Sequence, residues 1–378
     1  MKSVCFFSTF PRNDQNVLFK QAKTLVNVGY KVTVVFADGL PDELMDGILV
    51  TSIPAKYHLG GYKYRLFKYP RLFLKKLVEI DADVYETSDI DSLMVCLKLK
   101  RKGKKVMFRL LEEHPYTVYN KLKTPYWIKR IIVRLLSIWM GFVLKRIDKV
   151  TTVAPDIQEY LTRWGVKDVE ILGNYPEYNS DHSICLEDYL NREDRVLYFG
   201  AVYSISRQEV FFDALTQCPD VHYLIAGVFG LGNYKKKLEE HAYWNKVEFI
   251  EQFPKSELVN FFKRSTISNV LRDFFQTGYP QGSYGIIKLF ESMEAGLPII
   301  CSDVPVYREM MKDYQCGILV DPNNSKQIKD AIQYLIDHKE EAYYMGQNGR
   351  RAIAEKYNWT IEGTKYVNWI GDILMQNC

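Results

Sequence analysis

The chain lacks any apolar run near the roughly 20 residues that a bilayer span requires; the longest beside a helix, residues 135–144, falls well short. Cysteine is sparse: seven thiols lie scattered with no C-x-x-C pair and no Cys/His cluster, which argues against a disulfide framework or a structural zinc site. A reducing cytoplasm fits that usage. The N-terminus reaches Pro11 and Arg12 before an apolar region of signal-peptide length forms, so no secretory leader is expected. A net charge of +4 over 378 residues is too small to call for nucleic acid as a partner. With 47% apolar and 25% charged residues, disordered and low-complexity classes are excluded.

What charge there is sits unevenly. Residues 1–190 hold 29 Lys+Arg against 22 Asp+Glu, and the remainder 21 against 24, so the N-terminal half is +7 and the C-terminal half −3. Two stretches, 56–76 and 121–146, each carry seven basic residues and no acid, interleaved with Tyr, Trp and Phe. That composition suits an anionic membrane surface, or a solvated basic face over an ordinary core helix.

The length predicts two domains. Short β-rich runs at 4–7, 32–36, 48–52, 84–86, 106–108, 149–153 and 169–172 alternate with helical spacing such as 17–28. A polar, acidic stretch at 177–194 reads as a linker, and a second series follows at 196–199, 222–225, 247–250, 267–270, 298–301 and 317–320. Alternation of this kind means parallel strands with crossover helices. The fold class is therefore α/β, with two doubly wound Rossmann-like domains facing a cleft: 1–178, 195–358, and a closing helix at 359–378 that returns toward the first domain.

The stretch 282–300, GSYGIIKLFESMEAGLPII, carries the most chemistry. Gly282, Ser283 and Gly285 precede a helical run at 286–295, an arrangement that turns free amides and a positive dipole end toward a phosphate. Lys288 adds a charge in the first turn, and Glu291, three residues on, shares its face. A carboxylate there can accept both hydroxyls of a ribose. Asp89 and Asp91 form an Asp-x-Asp that could grip a divalent ion, but a carboxylate after a strand and before a helical run is ordinarily a cap, so no metal is expected.

KLFESMEAGLPIICSDVPVYRE resembles the donor-binding segment of retaining glycosyltransferases of family 4, which have the GT-B fold. DQNVLFKQAKTLVNVGYKVTVV, YETSDIDSL, TTVAPDIQEYL, ILGNYP, RVLYFGAVYSISRQEVFFDAL and VEFIEQFPKSEL resemble further elements of that family in its order, particularly in enzymes of bacterial surface-polysaccharide synthesis. The resemblance implies a nucleotide-diphosphate sugar as donor substrate with no resident cofactor, and a glycan or lipid-linked acceptor. It gives Glu291 the ribose, and the backbone of Tyr284, Gly285, Ile286 and Ile287 the sugar and diphosphate. Lys288, and Arg207 in the Gly200–Gln208 loop, become phosphate contacts. Gln252 and Phe253 fall where the family packs the base.

Two positions depart from the pattern. Ser283 stands where the family's first carboxylate belongs, and Leu111 where it places a cleft histidine, so either Glu112, Glu113 or His114 takes over or that contact is dispensed with. These departures speak for a catalytically degenerate GT-B module that only binds a glycan or partner; a GT-B sugar-nucleotide epimerase or phosphorylase is the other class left open.

Overall fold

The computed structural model describes residues 1–9, 12, 15–54, 64–112, 115, 118–119, 122, 124–180, 184–230, 232–276 and 280–375. The chain divides into two compact units, Met1–Asn174 with Trp359–Cys378, and Tyr175–Asn358. The first boundary thus lies a few residues before the expected one. The expected linker at 177–194 belongs to the second unit, where Leu186–Leu190 forms a helical turn that buries Tyr189. A single turn is too short to show an apolar period, which is why the sequence reads as linker.

The first unit holds an eight-stranded sheet among the described residues, in the order β3-β4-β2-β1-β5-β6-β7-β8. Its strands are β1 Ser3–Ser8, β2 Lys31–Phe36, β3 Glu43–Met45, β4 Ile48–Ser52, β5 Val84–Thr87, β6 Lys105–Leu110, β7 Lys149–Thr152 and β8 Glu170–Ile171. All pairings are parallel except β3 with β4. Parallel strands are covered on both faces, so they read as apolar throughout. β1 shows the alternation: Cys5 and Phe7 enter one core with Tyr85 and Phe108, while Val4 and Phe6 enter the other with Val34 and Leu172.

The helix Trp359–Met375 completes that second face. Trp359, Tyr366, Ile370 and Ile373, spaced seven, four and three apart, bury a single helical stripe there. Polar ties fix it: the Trp359 indole N–H donates to Thr24 Oγ1 at 3.0 Å, the Gly173 amide donates to Glu362 Oε2 at 2.7 Å, and the Tyr366 hydroxyl donates to Glu86. The last helix is therefore structurally part of the first unit.

The second unit has a fully parallel six-stranded sheet, β11-β10-β9-β12-β13-β14. These strands are β9 Arg195–Phe199, β10 His222–Ala226, β11 Val247–Ile250, β12 Ile267–Val270, β13 Ile299–Ser302 and β14 Gly317–Val320. Each sheet has one place where successive connections leave in opposite directions: between β1 and β5, and between β9 and β12. Ligands of open parallel sheets bind beyond the carboxyl ends of strands at such switch points.

Candidate donor and acceptor sites

Gly200 follows β9 at the second switch point, with φ +87° and its amide donating to Ala226 O at 2.8 Å. The next loop approaches so closely that a Cβ on Gly227 would lie 1.9 Å from Gly200 O. Only a glycine at 227 permits that contact beside the β9 and β10 ends, while Gly200 serves the positive φ.

Arg207 ends the same loop in the left-handed conformation, φ 49°, and opens the helix Gln208–Leu215. Its Nη2 and Nε reach Asp273 Oδ2 at 2.6 and 3.1 Å. Burial alone would raise the Asp273 carboxyl, but the Gln276 amide and Arg207 together hold it below its ordinary value. Asp273 N also donates to Ile205 O at 2.7 Å, so the pair fastens the β9 loop to the β12 loop. Part of the charge assigned to phosphate is therefore already committed, because a guanidinium's planar donors satisfy a nearby buried carboxylate first.

The stretch before the donor helix is held in place. Gly282 has φ +85°, the Gln281 carbonyl accepts from Val306 N at 3.1 Å, Tyr284 OH donates to Val306 O at 2.9 Å, and Tyr307 OH donates to Ser283 O at 3.1 Å. Ile286 is the extended cap residue of the helix Ile287–Glu294. One expectation is corrected here: the Gly285 amide does not face outward but donates to its own neighbour's Ser283 Oγ at 3.1 Å, because a serine hydroxyl reaches the amide two residues on. Among the described residues no acceptor meets the amides of Ile286, Ile287 and Lys288. These amides lie at the positive end of the helix, where an anion could be accepted.

Lys288 Nζ stands 3.5 Å from the centroid of the Tyr198 ring, and the Lys288 side chain lies against Gly200, whose added Cβ would meet Lys288 Cε at 4.0 Å. Burial pushes its pKa well down, Arg272 pushes the same way, and Glu291 opposes them. Glu291 itself pairs with Lys255 at 3.3 Å. Lys255 follows the exposed Gln252 and the half-buried Phe253, whose ring meets Phe261 edge-on at 5.0 Å within the core. Arg272, Asp273, Lys255 and Tyr198 surround these candidate residues, and sequence reading did not single them out. Arg272 had a signal, a cation two residues beyond the end of a strand at a switch point.

At the first switch point Ser8, Gln21, Glu86, Thr87, Arg109 and Leu111 line a small concavity. Buried Glu86 accepts from Gln21 Nε2 at 2.6 Å and Tyr366 OH at 2.5 Å. Burial raises its pKa, against Tyr366, Arg109 and Gln21. Buried Arg109 donates from Nη2 to Leu172 O at 3.1 Å. Leu111 lines this wall and Glu112 is exposed beside it; Glu113 and His114 lie outside the described residues. Asp89, expected to cap the next helix, makes no capping bond; its carboxylate instead accepts the Thr9 amide from across the switch point. Among the described residues no three His, Cys, Asp or Glu side chains gather as a metal site.

Two family models match: the glycosyl transferase 4-like domain over residues 15–174, and glycosyl transferases group 1 over residues 190–352. This chain is a GT-B glycosyltransferase. The chain is 25% identical over 211 residues to an uncharacterized glycosyltransferase of Methanocaldococcus jannaschii, a match that takes in 49% of this chain and 58% of the relative. The chain therefore spans little more than half the length of that relative. Among solved structures the transferase resembles the sucrose-phosphate synthase of Thermosynechococcus elongatus, with TM-score 0.77 at 17% identity over 100% of both chains. It also resembles Anabaena HepE, solved with UDP and glucose, with TM-score 0.71 at 14% identity over 98% of this chain and 100% of that one. At these identities the likeness extends to the fold.

Proposed function

We propose that the enzyme is a retaining transferase that moves a sugar from a nucleotide diphosphate to a surface glycan or its lipid carrier. The observation that carries this reading is the row of unengaged amides at Ile286, Ile287 and Lys288, flanked by Lys288, Arg272 and Glu291 at a sheet switch point. A diphosphate presents two anionic groups to those amides and to Lys288 and Arg272, while Glu291 accepts the ribose hydroxyls. Arg207 acts chiefly by positioning the β9 loop through Asp273 and offers its remaining donors to phosphate. UDP is the first nucleotide to test, because HepE of the same fold was solved with it.

In the proposed reaction the bond from the sugar's anomeric carbon to the phosphate oxygen breaks as the acceptor hydroxyl attacks the same face. The departing phosphate takes the hydroxyl proton. The protein then supplies orientation and stabilisation of the leaving group's charge rather than a base. Neither Glu112 nor His114 is needed as a base on this account, and no resident cofactor or metal is invoked.

Glu291→Ala removes the acceptor of two charge-assisted hydrogen bonds and weakens UDP binding by about 2 kcal/mol or more, roughly thirtyfold, in calorimetry on folded protein. Unchanged UDP affinity would refute the assignment. The Ser283 hydroxyl, used internally by Gly285, favours a second reading in which the module binds but does not transfer. Slow hydrolysis of labelled UDP-sugar without acceptor decides for the enzyme.

A further inference from the structure

The helix Tyr126–Leu144 has two apolar faces where a surface helix needs one. Met140, Val143 and Leu144 enter the first unit's core. On the opposite side Trp127, Ile131, Leu135, Ile138 and Phe142 are each between 50% and 64% exposed. Their spacing of four, four, three and four residues makes a continuous outward stripe. At 1.5 Å per residue it runs about 22 Å.

Cations border it. Arg130 and Arg134 are exposed alongside, Arg146 is held over the Phe142 ring at 3.6 Å and bonds Phe142 O at 2.6 Å, and Lys145 is exposed at the same end. No acid occurs between residues 121 and 146, where seven residues are basic.

We infer that this face is the enzyme's docking surface for an anionic lipid bilayer, with the helix lying in the headgroup plane. A second copy of the chain is disfavoured as occupant, because it would set the same basic border against itself. Anionic headgroups match the border and acyl boundaries the stripe. The helix cannot cross the bilayer: no helix among the described residues is long and apolar enough, and its inner face is fixed in the core. The inference deepens the reading above by naming where a lipid-linked acceptor is met, and rests on it for that purpose alone.

The test is flotation of the full chain with vesicles of phosphatidylcholine alone and of equal parts phosphatidylcholine and phosphatidylglycerol. Binding is expected only to the anionic vesicles, with a blue shift of Trp127 emission and loss in high salt. R130Q with R134Q weakens partitioning roughly thirtyfold, at about one surface charge's contribution each. Leu135→Ser with Ile138→Ser abolishes it even at low salt. Both variants keep the melting temperature and the UDP-sugar hydrolysis of the parent. Equal binding to neutral vesicles, no binding by the parent, variants that bind like the parent, or a dimer in sedimentation equilibrium that the serine variant dissociates each overturn the inference. Vesicle binding without UDP-sugar turnover defeats the enzymatic reading and leaves this one standing.

Discussion

Gly282→Ala probes the conformation on which the proposed donor site depends. At φ +85° an alanine costs about 1–2 kcal/mol for left-handed backbone. Its Cβ would fall 2.5 Å from Val304 Cγ2 and 2.7 Å from Val306 Cγ2, where ordinary contacts are 3.4–4 Å. Relieving that overlap costs about 1–3 kcal/mol if the core holds still. The total, about 2–5 kcal/mol, lowers the melting temperature of the second unit by roughly 4–20 °C at the scale for domains of this size. The alternative is that the loop yields. The amides of Ile286 to Lys288 then move by something like 1 Å, melting changes little, and UDP affinity and turnover fall up to about a hundredfold. Melting and calorimetry on one sample separate the two outcomes. Gly371→Ala is the control: it lies in a helix with nothing within 4 Å of the added Cβ, and stabilises by up to about 1 kcal/mol. Were Gly282→Ala to change neither melting nor UDP binding, the pinned left-handed turn would be wrong.

Arg207→Met strands the buried Asp273 carboxylate and lowers stability by about 1–3 kcal/mol in urea titrations, more than it lowers UDP affinity; the reverse order would make Arg207 primarily a phosphate ligand. Lys288, with a pKa well below the ordinary 10.5, takes up a proton as the diphosphate binds. UDP affinity therefore falls as pH rises above the lowered value, the native state gains stability across the same window because the unfolded chain binds the extra proton, and Lys288→Met flattens the binding profile. Tyr366→Phe removes a donor from buried Glu86 and costs about 1–3 kcal/mol in chemical denaturation, while leaving UDP affinity unchanged.

The strands were legible because buried parallel strands are apolar on both faces, and thirteen of the strands described fall on runs visible in the sequence. β3 was not, being three residues of the polar stretch around Glu43 paired antiparallel at an edge. The start of the donor helix was legible for the same local reason, since glycines and a helical period are adjacent in the chain. Its partners were hidden because they are neighbours only in space: Lys255 reaches Glu291 and Asp273 reaches Arg207 across many residues. Glu86 and Arg109 left one readable trace, a charge inside each of two otherwise apolar strands. A charged residue fully buried in a parallel strand must be compensated, and that requirement alone points to a polar cluster around it.

The two switch points differ in charge, and that difference assigns their ligands. Beyond β9 and β12 the chain presents unengaged amides, a helix N-terminus, the Arg272 guanidinium and Lys288, whose lowered pKa rises when an anion arrives, a setting that favours negative charge. Beyond β1 and β5 Glu86 lies near Arg109, Asp89 adds a second carboxylate, and the rim is built of hydroxyls from Ser8, Thr87 and Ser88 with the amide of Gln21. A diphosphate placed there would oppose Glu86, whereas a neutral sugar hydroxyl can exchange hydrogen bonds with such a rim at no electrostatic cost. On the proposed reading the second unit therefore takes the donor and the first the acceptor. UDP should accordingly protect the loops around Gly200 and Ser283 from hydrogen exchange while leaving those around Ser8 and Ser88 unprotected; protection of the Ser8 loop by UDP would reverse the assignment.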